Sequence, residues 1–277
     1  MSNNVEMTIK SNDIKALFIT NVLGLSGDIN KILDLCNKHK ILFFEDNCEA
    51  LGSTLPSGKL GNFGLMSSFS FFVAHHMSTI EGGMVCTSDD RLAQMLRIVR
   101  ANGWDRNLTL AEQKKLRTKY NIKSEFDAKY TFYDLGFNLR PTEITGFLGN
   151  CQLKFVDNSN NKREKNFIQL HSLILKNDDF IAIDFSHMTF LSSFAFPIIC
   201  KNEKIKKEYL HKFSKANIEI RPMIAGNIQY QPFYKKYVKE LVSLPNTDHL
   251  HKCSFYCGNY SDLSKNDLDT IANCINK

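Results

Sequence analysis

No apolar run in the 277 residues is long enough to cross a bilayer. The richest, Phe69–Ala74 and Phe194–Cys200, fall far short of the ~20 residues that a spanning helix needs. The opening stretch, MSNNVEMTIKSND, lacks the apolar core of a secretory leader, so the chain is expected in the cytoplasm, away from membranes. A disulfide framework is missing as well. The eight cysteines follow no framework spacing, a chain of this length needs no staples, and the thiols are expected to be reduced. Basic residues outnumber acidic ones only by 35 to 29, and the lysines are scattered, not gathered into a stripe. The resulting net charge of +6 suits a nucleotide diphosphate better than a nucleic acid. Internal repeats and low-complexity tracts are also absent.

What is present has the texture of an ordinary globular protein, 43% hydrophobic and 23% charged, long enough for two packed cores. Ala16–Thr20 reads as a strand, and Asp28–His39 as a helix with apolar positions at Ile29, Ile32, Leu33 and Leu35. Ile41–Phe44 is a continuous apolar run, which predicts a strand buried on both faces. After a turn with Gly58, Gly61 and Gly64, further strands are expected at Ser67–Phe72 and Met84–Thr87, then a helix over Asp89–Arg100 capped by Ser88. Residues 105–130 are polar and read as a loop excursion. Helices follow over Pro141–Leu153, with Pro in the first turn, and Lys162–Leu175. The alternation predicts an α/β layer with a mainly parallel sheet. Beyond about residue 178 the texture changes. Strand-like runs Phe180–Phe185, Phe194–Cys200 and Ile218–Ile220 surround a helix over Glu203–Ala216, and a capped helix over Ser264–Ile275 ends the chain. The expected division is a larger α/β domain over 1–155 and a small α+β domain over 156–277.

Three segments carry candidate chemistry: Phe44–Gly52 (FEDNCEALG), Ser68–Gly83 (SFSFFVAHHMSTIEGG) and Arg100–Asn107 (RANGWDRN). An acid at the carboxyl end of a buried strand stands where open α/β sheets bind ligands, which marks Asp46. Ser70, five residues before His75 on the next strand, can face the same crevice. The residues alone leave the bland readings open: Asp46 as a cap, His75 and His76 as structural histidines, Trp104 as packing, Arg106 and Arg221 as surface ion pairs. His249, His251, Cys253 and Cys257 have a spacing that zinc sites use.

These segments resemble the DegT/DnrJ/EryC1/StrS sugar aminotransferase-like family of fold-type-I, pyridoxal-phosphate-dependent enzymes. The family pattern is a strand ending in Glu-Asp, a Gln or Glu three residues later, a Ser-Phe strand, the cofactor-binding Lys five residues past its Ser, and a Gly-Gly strand. Glu45-Asp46, Glu49, Ser70 and Gly82-Gly83 fall on it, and the likeness continues through Asn138-Leu-Arg140 and Ile220-Arg-Pro222. The lysine position holds His75. Without an ε-amine the lysine route of transamination is closed, and the His-His pair resembles the 3-dehydratase branches. One branch carries an iron–sulfur cluster, but no cysteine lies between Cys86 and Cys151 to ligate it. Gly103–Asn107 resembles the cluster-free branch, which acts on GDP-4-keto-6-deoxymannose.

The resemblance implies pyridoxamine or pyridoxal 5'-phosphate as cofactor and C3 dehydration of a nucleotide-linked 4-keto-6-deoxyhexose, in the making of a 3,6-dideoxy sugar for a surface polysaccharide. It assigns His75 as acid/base, Asp46 to the pyridine nitrogen, Ser70 to the phosphate, and Glu49 and Asn138 to the cofactor's surroundings. Arg106, Arg140 and Arg221 are the substrate candidates, glutamate the expected amino donor, and a homodimer with shared sites the expected assembly. The late histidines and cysteines then belong to a strand leading into Gly258-Asn259, with no metal. The family's chains begin well before this one, and roughly a hundred N-terminal residues are expected to be missing. These include the helix N-terminus that cradles the phosphate. The chain is then either a dehydratase completed by a separate N-terminal polypeptide, or a non-catalytic remnant or partner subunit, with an apolar sheet edge left open.

Overall fold

In a computed structural model the structure describes residues 1–224 and 226–277. The chain runs α1 (Ser2–Ser11), β1 (Ala16–Thr20), α2 (Ile29–His39), β2 (Leu42–Asp46), a short hairpin of β3 (Thr54–Leu55) and β4 (Gly58–Lys59), β5 (Met66–Ser70) and β6 (Gly83–Cys86). Helices α3 (Asp90–Val99), α4 (Leu110–Lys119), α5 (Glu125–Ala128), α6 (Glu143–Leu153) and α7 (Val156–Ile174) follow. The rest is β7 (Ala195–Ile199), α8 (Glu203–Lys215), β8 (Ile220–Pro222), α9 (Pro232–Tyr237), α10 (Pro245–Cys253), β9 (Ser254–Gly258) and α11 (Lys265–Ile275). Among the described residues no helix is long and apolar enough to cross a membrane.

The first sheet has the order β1-β2-β5-β6. Its first two pairings are parallel and the last is antiparallel, so it is mainly parallel. β1, α2 and β2 form one crossover unit, and α2 lays Ile29, Ile32 and Cys36 on Ile19, Ile41 and Phe43. α1 packs on the same cluster through Val5 and Ile9. The second sheet, β7-β9-β8, is antiparallel. Phe196, Ile198 and Phe255 from it meet Phe167 and Leu170 of α7, Tyr209 and Phe213 of α8, and Ile271 and Ile275 of α11 in a second buried cluster.

The run expected to be buried on both faces is buried on one. Phe43 and Glu45 of β2 point into the α2 side, whereas Leu42 is 50% exposed and Phe44 half-buried. Register places Phe18, Phe44 and Met66 in one row on that open face, and Thr20, Asp46, Ser68 and Val85 in the next. A parallel sheet is ordinarily covered on both faces; here Phe18 is 61% and Val85 51% exposed.

Four further expectations are corrected. Residues 105–130 hold α4 and α5, not a loop: α4 has a Thr109–Glu112 capping box, and Arg117 ties Asp105 (2.7 Å) to Glu125 (2.8 Å). α3 takes Asp89, not Ser88, as its cap, since Asp89 Oδ1 accepts the Leu92 amide at 2.9 Å. Pro141 lies outside α6, because the Thr142 hydroxyl accepts the Thr145 amide and starts the helix there. Phe180–Phe185 is no strand. Phe180 bridges Cys200 and the Ile181 amide reaches Ile199, then the chain turns at Asp184, which accepts the Ser186 amide and hydroxyl.

Candidate active site

The two adjacent acids that end β2 have opposite tasks because strand side chains alternate. Glu45, fully buried, accepts the amides of Gly61 (2.9 Å), Phe63 (2.8 Å) and Gly64 (2.8 Å), and so folds the glycine turn around its carboxylate. Gly61 is required there: its φ is +96°, and a Cβ would stand 2.5 Å from the Phe69 ring. Asp46 points to the open face at the carboxyl end of the sheet. Its Oδ1 accepts the Ser68 hydroxyl and the Cys48 amide, each at 3.0 Å, which fixes the carboxylate before any ligand arrives. Ser68 is opposite Asp46 in register, and Ser70 follows it two residues on, on the same face.

The loop from β5 to β6 folds back on itself. The Phe71 amide donates to Gly82 O (2.9 Å) and the Thr79 amide to Phe71 O (2.8 Å), while a Cβ on Gly82 would collide with Thr79 Oγ1. The Ser70 hydroxyl accepts the Phe72 amide at 3.3 Å. The loop presents two histidines with different surroundings. His76 is buried, with Nε2 3.0 Å from Ser192 O; burial, then the charge of Arg163, pushes its pKa down to about 3, and it stays neutral. His75 is half-buried, its ring 5.1 Å from that of Phe194 and 6.0 Å from that of Phe72. Burial first, and Arg163 second, hold it below the ordinary histidine value, with Asp46 acting the other way. Its Nδ1 is buried and has no partner. A neutral imidazole with a free nitrogen, within electrostatic reach of a fixed carboxylate, can take up a proton and return it.

Glu49 stands beside this pair and spends Oε2 on the Leu23 amide (2.7 Å), in a turn where Leu23 has a φ of 55°. Burial raises its pKa, and the charge of Asp46 adds to that. The Cys48 thiol lies 4.0 Å from the Ser68 hydroxyl and is pushed up to about 12, chiefly by burial, so it is no nucleophile. The remaining candidates lie apart. Arg106 stacks on Trp104 at 3.7 Å and donates to Lys129 O, and Arg140 bonds Asn138 at 3.0 Å with Trp104 at 5.9 Å. Arg221 is exposed, paired with Glu219 just before its strand, and opposite Tyr256 in register. None of these shares a hydrogen bond, ion pair or ring contact with Asp46, Ser70 or His75 among the described residues. His249 bonds Cys200 O (3.0 Å) and His251 receives the Asn227 amide (3.2 Å). Among the described residues no group of three or more metal-ligating side chains converges. All eight cysteines are free.

Sequence reasoning passes over Ser68, Phe194 and Arg163. Ser68 has a signal, its strand pairing with Asp46. The other two reach the site from distant parts of the chain and carry none.

The DegT/DnrJ/EryC1/StrS aminotransferase family profile matches residues 2–276. The chain belongs to this family. It is 32% identical over 262 residues to GDP-4-keto-6-deoxy-D-mannose 3-dehydratase of Escherichia coli O55:H7, covering 93% of this chain and 66% of that one. The Yersinia pseudotuberculosis protein of the same name is also 32% identical, over 269 residues, with 95% and 67% covered. Among solved structures, GDP-4-keto-6-deoxymannose-3-dehydratase with a trapped PLP-glutamate geminal diamine superposes with a TM-score of 0.88 at 27% identity, over 99% of this chain and 71% of that one. The chain thus has the fold of this family, and it spans about two thirds of the length of the relatives it matches.

The residues present fit the family's cofactor. The fixed carboxylate of Asp46 and the hydroxyl of Ser70 share one sheet face at its carboxyl end, and the His75 ring, with an unpartnered nitrogen, is within electrostatic reach of Asp46.

Proposed function

We propose that this chain carries the site for pyridoxamine-phosphate-dependent C3 dehydration of a nucleotide-linked 4-keto-6-deoxyhexose, with GDP-4-keto-6-deoxymannose as substrate. The observation that carries the reading is His75: an imidazole kept neutral by burial, with an unpartnered nitrogen, stands within reach of Asp46, which supports its assignment to the position where the family pattern has lysine. When bound, the cofactor supplies an amine for the 4-keto carbon and a ring that accepts electrons. Asp46 would keep the ring nitrogen protonated. His75 would take a proton from the carbon that bears the cofactor's amine and deliver it to the C3 hydroxyl as that group leaves as water. Burial keeps the ring neutral before the transfer, and the Phe72 and Phe194 rings hold its plane. Glu49 would border the cofactor, Asn138 would reach the cofactor of a neighbouring copy, and Arg106, Arg140 and Arg221 would offer guanidinium forks to the diphosphate. Asn138 and Arg140 lie apart from Asp46 in one copy, which supports a homodimer in which they reach a neighbour's site. Glutamate serves as amino donor, in keeping with the glutamate adduct of the solved relative. Residues 1–155 form the cofactor-binding part and 156–277 the small domain, a division supported by the two buried clusters.

A second reading is favoured by the open sheet face: the chain works only with a separate polypeptide that covers Phe18, Leu42 and Val85. Absorbance of the purified chain with pyridoxamine phosphate, before and after GDP-4-keto-6-deoxymannose and glutamate, separates the two. Bands that shift with substrate, with ammonia released and lost in His75→Ala, support the dehydratase. A chain that retains no cofactor until a covering polypeptide is added supports the second reading. No retention under either condition overturns both.

A further inference from the structure

Behind the two histidines runs the strip Leu191–Ala195, and α7 grips it with two consecutive residues. Glu164 Oε1 accepts the Leu191 amide (2.9 Å), and Arg163 Nη1 donates to Phe194 O (2.9 Å) and to Asn259 O (2.7 Å). Asn259 returns two bonds, its Nδ2 donating to Arg163 O (3.0 Å) and Ser193 O (3.3 Å). The strip in turn holds the histidines: Ser192 O faces His76 Nε2, and the Phe194 ring abuts both imidazoles. Arg163 is 5% exposed, and its Nε has no partner. Among the described residues it makes no ion pair, since both of its acceptors are carbonyls. A buried guanidinium is ordinarily matched by a carboxylate, and leaving it unmatched is costly. A purely structural clamp on two carbonyls does not require a charge, because an amide side chain can donate to them.

We propose that Arg163 is a positioning residue for His75: it fixes the Phe194 wall on which the imidazole leans, and its charge, held in no ion pair among the described residues, acts on the ring. This rests on the reading of His75 as the acid/base group. The groups that face His75 are Asp46 from the end of β2, Arg163 from α7 and His76 from its own loop. Asp46 favours the charged imidazole, whereas Arg163 opposes it and is the larger of these two influences. Tyr260 and Asp262, past the end of β9, support the charge on Arg163 against its burial. Burial does most to keep His75 neutral, and Arg163 adds to it against the carboxylate beside the ring.

The test is an NMR titration of the His75 ring proton in the full chain, without cofactor or substrate, assigned by its loss in His75→Gln. The native midpoint is expected below 6.5. Arg163→Gln should raise it by about half a unit or more, and Arg163→Lys, which keeps the charge, should leave it within a few tenths. An unchanged midpoint in Arg163→Gln, or an equal rise in both variants, overturns the proposal. If Arg163→Gln fails to fold by circular dichroism, the native chain still decides. Protonation of His75 places a charge near the guanidinium, so the Arg163 Nε–H resonance is expected to shift with the His75 midpoint, and a resonance that ignores it overturns the proposal. Because no turnover is involved, the titration reads the Arg163–His75 coupling whether or not the chain is active, so a failure of this proposal is distinguishable from a failure of the dehydratase reading.

Discussion

Glu45 and Asp46 are neighbours in sequence with side chains on opposite faces of β2, and they answer to different measurements. Glu45→Gln removes a buried carboxylate that three amides address, and is expected to destabilise the chain by ~2 kcal/mol or more in a urea melt. Asp46→Asn, half-buried with two donors on one oxygen, should melt near the native value and lose binding of pyridoxamine phosphate. Equal destabilisation by the two would contradict the division of labour. His76 makes a pH-dependent prediction. Its pKa is about 3 in the folded chain against an ordinary histidine value of 6.5 once unfolded, so between those values the unfolded chain binds the extra proton and stability falls as the pH falls. At pH 5 the loss relative to neutral pH is ~2 kcal/mol, and His76→Gln should flatten that slope in urea melts at pH 7.5 and 5. At this scale Asp46, Ser70 and His75 stand out as candidates because a strand end marks the first and the spacing of the family pattern marks the other two. Arg163 is not, because in Asn161-Lys-Arg-Glu-Lys165 it looks like its solvated neighbours, and only the distant strip 191–195 makes it buried.

Among the elements, β1 and α2 are legible to within a residue or two because they feed a core with period 2 and period 3.6. α4 is invisible to that reading for a physical reason. It buries no side chain and has no apolar stripe, so its stability comes from its capping box and from Arg117, which holds Asp105 and Glu125. Thr109→Ala should therefore lower the protection of the α4 amides in hydrogen exchange by about 1 kcal/mol, with little change in those of β2 and β5. A global change in protection would mean that α4 is part of the cooperative core, against its packing. The apolar run 180–185 misleads in the opposite direction. Its side chains are core-forming, since Phe180 and Phe185 pack in the second cluster, but Asp184 turns the backbone before a ladder can form.

For the whole molecule the decisive feature is the sheet face that carries Asp46 and Ser68 together with Phe18, Leu42, Phe44, Met66 and Val85. A sequence cannot show that face to be open, because a continuous apolar run such as Ile41–Phe44 reads the same whether a second layer covers it or not. With Phe18, Leu42 and Val85 each at least half exposed on one face across three strands, this face should recruit hydrophobic probes or other chains. The double substitution Phe18→Lys, Leu42→Glu leaves the buried side of the sheet untouched, since Ile19, Ile41 and Phe43 face α2. It is expected to cut fluorescent-dye binding and concentration-dependent association several-fold in sedimentation, with an unchanged circular dichroism spectrum. If a covering polypeptide completes the cofactor site, the same variant should also fail to gain cofactor retention when that polypeptide is added, although Asp46, Ser70 and His75 are intact. Undiminished dye binding would place the apolar surface elsewhere, with α6 as the next place to look, since Ile144, Phe147 and Leu153 there are exposed and α6 buries no side chain among the described residues.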